Sequence, residues 1–188
     1  MSIQHTLLPE LFVPSVPLAP GMLLQQLPME EIVMRALSWK QPYCSLMLPP
    51  HNKKETRVWY TKYRGWVLMC ASQAPYSHDQ LIDIAGEHQA DRIYRAYGET
   101  DRRTSLPYGE AIAIGLLVDC YPMREEDEDA CFVEYNPKLF CHVYENVHPI
   151  MPIPWKGKQG WSTVPQSIIE QIILLPPPPP DYQTLTLK

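Results

Sequence analysis

Glu55, Arg57 and Trp59 recur at every second position of a short stretch of the chain. On a β-strand, residues two apart point to the same face. A carboxylate, a guanidinium and an indole would then share one surface. Such a set can hold a nucleobase: the ring stacks, the carboxylate accepts from an exocyclic amine, and the arginine donates to a carbonyl or a phosphate. The same three residues also suit a plain Glu55–Arg57 ion pair capped by a half-buried Trp59, and the residue types alone leave both readings open. Lys62, Tyr63 and Arg64 place cations beside an aromatic ring shortly afterwards. Lys156 and Lys158 flank Gly157, between Trp155 and Trp161. Basic residues interleaved with aromatics suit single-stranded nucleic acid, and a glycine there permits close approach of a backbone. A surface loop whose tryptophans cover the end of a core is the other reading.

The chain that must position these groups has 188 residues, 45% hydrophobic and 20% charged. That is enough for one domain with a core of its own. No run of about eighteen apolar residues is present, so no membrane span or membrane partner is expected. The formal net charge is −5, which argues against a strong non-specific DNA binder. The five consecutive acids Glu125, Glu126, Asp127, Glu128 and Asp129 account for all of it. Such a run reads as a solvated loop; the remainder is neutral and can carry a local basic cleft. Five cysteines without a C-x-x-C pair fit buried free thiols in a reducing, cytoplasmic setting better than a disulfide framework. Cys131, Cys141 and His142 match no common zinc spacing, glycine-rich phosphate loops are absent, and neither metal nor cofactor is expected.

The elements are mixed. Residues 1–30 carry too many prolines for a long helix or central strand and read as an extension. Short β-like runs occur at 33–37 and 55–59. Residues 66–71 are continuously apolar and read as a central strand. The run 111–120 is the longest strand, with Gly115 marking a bulge or sharp bend. Another strand is expected over 139–147. Pro42 suits the first turn of a short helix. Ser77 and Gln80 form a capping-box pattern, and Gly86 divides the helix that follows. The tail from residue 166 reads as a short packing helix, stopped by the prolines at 176–180, which form polyproline II as a spacer or as a ligand for a proline-recognising partner. Strands from distant parts of the chain with helices among them predict an α+β fold, a small mixed barrel.

Ala36-Leu37-Ser38-Trp39-Lys40-Gln41-Pro42-Tyr43-Cys44-Ser45-Leu46, followed by Glu55-Thr56-Arg57-Val58-Trp59 and Tyr63-Arg64-Gly65, resembles the ASCH family. Ala113 to Val118 resembles that family's glycine-containing strand, and Pro152 to Trp161 its closing loop. The resemblance covers about residues 35–165 and identifies residues 31–165 as the domain, with 166–188 as a tail. It implies a PUA-like small mixed β-barrel with flanking helices. It also implies a cleft beside the strand of Glu55 that binds RNA or a nucleotide. Glu55, Arg57, Trp59, Tyr63, Arg64, Lys156 and Lys158 are the expected ligand-binding residues.

A small bacterial enzyme similar to a reduced ASCH domain hydrolyses an acylated nucleoside. By that resemblance Lys53, with Glu55 or Glu110, would form an acid–base pair in an amidohydrolase. The family's glycine-x-lysine falls on Pro50 and Asn52, so Lys53 enters the cleft only with a one-residue shift. A third reading is an adaptor that binds protein partners through the acidic block or the proline tail.

Overall fold

Gly65–Ala71 (β3) is buried at every position, which explains its unbroken run of apolar residues: a strand covered on both faces has no polar alternation. Trp66, Leu68 and Cys70 pack into one core and Val67, Met69 and Ala71 into another. Around this strand the computed structural model describes residues 33–49, 54–97 and 106–176. The extension at 1–30 and the polyproline run beyond Pro176 lie outside the described residues, as does Lys53.

Arg35–Trp39 (β1) pairs in parallel with β3. Lys54–Arg57 (β2), Glu110–Pro122 (β4), Phe140–Pro154 (β5) and Ser162–Thr163 (β6) complete a mixed, six-stranded sheet of order β2-β5-β4-β3-β1-β6. The sheet is not closed, since the outermost strands β2 and β6 are not paired with each other. The fold is α+β, with short helices Tyr43–Leu46 (α1), Glu128–Cys131 (α4) and Gln166–Ile169 (α5), and longer ones His78–Ala85 (α2) and Glu87–Tyr97 (α3). Among the described residues no helix is long and apolar enough to cross a membrane.

Several local expectations are met for the reasons the chain suggests. The Ser77 side chain accepts from the Gln80 N–H while the Gln80 side chain accepts from the Ser77 N–H, closing the capping box of α2. Gly86 separates α2 from α3 at φ +84°, a conformation that L side chains rarely adopt, and the Glu134 side chain occupies the place of its missing Cβ. The register of β4 on β5 shifts between Ile114 and Leu116, around Gly115, where a Cβ would stand 2.6 Å from the Met69 methyl.

Two elements extend beyond their expected bounds. β5 continues to Pro154. Residues after α5 add to its edge: the Met151 N–H donates to the Ile173 carbonyl and the Leu175 N–H to the Pro149 carbonyl, both at 2.9 Å. Ile169, Ile172 and Leu174 are buried in the same core as Met34 and Leu68.

The acidic block is solvated only in part: Glu125, Glu126 and Asp129 are exposed, as expected, but Asp127 is not. Glu125–Asp127 forms a 3-10 turn leading into α4, and Asp127 is only 1% exposed. Lys54 of β2 reaches it at 2.6 Å, and the Tyr121 hydroxyl donates to it at 2.9 Å. Asp127, alone of the run, anchors the edge strand through Lys54, because a buried carboxylate demands partners.

Candidate functional site

The alternation of β2 separates its charges. Lys54 leaves toward Asp127, while Glu55 and Arg57 face inward and line a cleft of about 1300 Å³. Glu55 is buried to 6% exposure. Burial raises its carboxyl above the ordinary carboxylate range, opposed by the Arg57 charge and by the indole N–H of Trp39. Arg57 Nε stands 2.6 Å from Glu55 Oε1, although this N–H lacks hydrogen-bond alignment, as does that of Trp39. The contact is thus a close ion pair. The Arg57 Nη2 group donates to the Ser38 carbonyl at 3.1 Å, and its guanidinium lies 5.2 Å from the centroid of the Trp39 ring. The ion pair allowed by the residue types is therefore present, and it lies in the wall of a large cleft.

Trp59 also lines the cleft. Its ring meets His142 edge-on at 4.8 Å and Trp161 at 5.7 Å. His142 is fully buried and lies opposite Glu55 in the β2–β5 register. Its Nε2 contacts the Trp59 carbonyl at 3.2 Å and its Nδ1 has no partner. The tautomer consistent with this carries hydrogen on Nε2 and donates to Trp59. Burial pulls the imidazole down to about 4, so it is neutral near neutral pH.

Lys156 and Lys158 are exposed at the cleft rim. The Trp155 N–H anchors the start of their loop to the Gly109 carbonyl at 2.8 Å. Gly157 lets the loop lie against Ser38, where an added Cβ would stand 2.9 Å from the Ser38 hydroxyl oxygen. Lys40 lines the same cleft, with Nζ 4.7 Å from the Tyr76 ring centroid. Val133, Asn136 and Leu139 belong to another stretch of its lining, together with Asp83 and Ile84 of α2.

Five expected residues thus meet in one cleft: Glu55, Arg57, Trp59, Lys156 and Lys158. Tyr63 and Arg64 do not line it. The Tyr63 hydroxyl donates to the Trp66 carbonyl at 2.7 Å, and its ring packs on Trp161 at 5.3 Å. Arg64 donates to the carbonyls of Thr61 and Tyr63 and pairs with Asp119 at 3.1 Å. Both side chains hold the turn between β2 and β3. Glu110 begins β4 between Ala71 and Pro154 and is also outside the lining.

Gln41 turns out to be structural. It is fully buried, donates to the Pro107 carbonyl at 2.9 Å and accepts from the Ser45 N–H at 3.1 Å. Sequence reasoning missed Lys40 as a cleft residue, since its adjacency to Gln41 was its only signal; His142, considered there only as a metal ligand, packs behind Trp59 and does not line the cleft. Cys141 and His142 are neighbours on a strand and diverge, so they do not join Cys131 as one ligand set; among the described residues no group of three metal-ligating side chains converges. No family model matches this chain, and no curated protein matches it.

Proposed function

We propose that the protein is a binding module of the ASCH type, which holds a nucleotide or a short single-stranded RNA in the cleft between β2 and the loop after β5. The observation that carries this is the meeting of Glu55, Arg57, Trp59, Lys156 and Lys158 in one cleft. Glu55 offers an acceptor for a base amine, and Tyr43 and Trp59 offer ring surfaces. Lys40, Lys156 and Lys158 line the same cleft and supply the positive charge that strand phosphates require. The volume, about 1300 Å³, accommodates more than one nucleotide, above the ~300–1000 Å³ of ordinary small-molecule pockets.

The bond from Arg57 of edge strand β2 to Ser38 of β1 supports a PUA-like arrangement, a curled sheet left open along one seam. The ligand would enter at that seam. Fluorescently labelled single-stranded RNA, titrated at low and high salt, tests the reading. Binding that weakens with salt and competes with free nucleotide is expected. Absence of binding at every salt concentration, with the protein folded, overturns it.

A further inference from the structure

The cleft wall formed by Val133, Asn136 and Leu139 belongs to a loop whose two ends are both cysteines. Cys131 closes α4 and Cys141 is the second residue of β5. Their sulfur atoms are 3.7 Å apart, with Cys131 2% and Cys141 0% exposed. We propose that Cys131 and Cys141 are a site of reversible oxidation, at which an intramolecular disulfide staples this wall of the cleft.

The two sulfur atoms already touch. A disulfide needs its sulfurs at about 2.05 Å, so the pair must close by roughly 1.7 Å from its present 3.7 Å. α4 is a single turn. Phe132 follows it at φ +53°, where the chain reverses into the loop. Cys131 ends a one-turn helix while Cys141 is held in the β2–β5 ladder, so closure would fall on the α4 side. The loop itself is fastened at its base: the Met123 N–H donates to the Leu139 carbonyl at 2.9 Å, and Glu134 N–H to the Ala85 carbonyl at 2.7 Å. Oxidation would therefore tie an already ordered wall.

The chemistry balances with hydrogen peroxide as oxidant. One sulfur attacks a peroxide oxygen, the O–O bond breaks, and a sulfenic acid forms with loss of one water. The second sulfur attacks that sulfenic sulfur, the S–O bond breaks, and a second water leaves. Two thiols and one peroxide give one disulfide and two waters. A small dithiol reverses the bond and is itself oxidised. The S–H contact with Cys141 and burial both hold Cys131 in its thiol form, so the first step is slow until the loop opens locally.

The chain offers a direct test. Trypsin yields residues 125–138, with Cys131 as their single cysteine, and residues 139–156, with Cys141 as theirs. The full-length protein is treated with hydrogen peroxide, its free thiols are alkylated, and the monomer fraction is digested and analysed by mass spectrometry without reduction. The two peptides should appear joined, separate on reduction, and be absent as a pair from Cys131→Ser. Recovery of both peptides alkylated, singly over-oxidised, or joined to peptides of Cys44, Cys70 or Cys120 overturns the proposal. If the serine variant does not fold, the wild-type peptide map still decides. The outcome is independent of whether RNA binds.

Discussion

Arg57 on edge strand β2 donates to the carbonyl of Ser38 on β1, 3.1 Å away, although three strands stand between them in the sheet order. One side chain thus spans the open seam and at the same time neutralises the buried Glu55. Replacing Arg57 by alanine leaves a buried carboxyl without its counter-charge and releases the seam. The expected loss is about 2–3 kcal/mol, less than for a fully buried pair because Arg57 keeps 22% of its side chain exposed. Arg57→Lys should recover part of it. Urea unfolding measures both; a loss below about 0.5 kcal/mol for the alanine variant would show that the seam holds without this contact.

Acid stability should carry the signature of His142. Its folded value of about 4 lies below the ordinary 6.5. The unfolded chain therefore binds the extra proton first, and the stability held above 6.5 drains as pH falls toward 4, by roughly 3 kcal/mol in total. Glu55 acts in the opposite sense. Its raised carboxyl contributes stability below its ordinary 4.5, and that contribution is lost as pH rises through the folded value. The two partly cancel, so the comparison is wild type against His142→Gln. Their difference in urea midpoint should shrink between pH 7 and pH 4, and a constant difference would remove His142 as the cause.

Lys156 and Lys158 are exposed and hold no ion pair among the described residues. The double alanine variant should keep the thermal midpoint of the wild type. If both lysines meet phosphates, the slope of log affinity against log salt becomes shallower by about 1.4 for a single strand. Weaker RNA binding with an unchanged slope would place the phosphates elsewhere.

Asp127→Asn tests the anchor of β2. Burial opposes ionisation of Asp127, but Lys54, Tyr121 and the Arg124 N–H outweigh it and hold the carboxyl below its ordinary 3.8. Its stabilisation is present above that value and lost as pH falls through the lower, folded one. The asparagine variant should lose about 1–2 kcal/mol at pH 7 and become less sensitive to acid, measured by urea unfolding at pH 7 and pH 3. Equal stability at pH 7 would show that the Lys54–Asp127 pair adds nothing net to the hold on β2.

The sequence by itself determined what depends on neighbours along the chain. The capping box of Ser77 and Gln80, the break at Gly86, the fully apolar β3 and the shared face of Glu55 and Arg57 all follow from local backbone geometry and side-chain period. Tertiary structure alone decided which distant groups meet. It sent Tyr63 and Arg64 into the β2–β3 turn, because their hydrogen-bond partners Trp66, Thr61 and Asp119 are supplied there. It took Asp127 out of solvent, because the β2–β5 pairing brings Lys54 alongside. It joined Arg57 to Ser38 and left β2 and β6 unpaired with each other, since strand order, registers and bulges are not specified by any single stretch of residues.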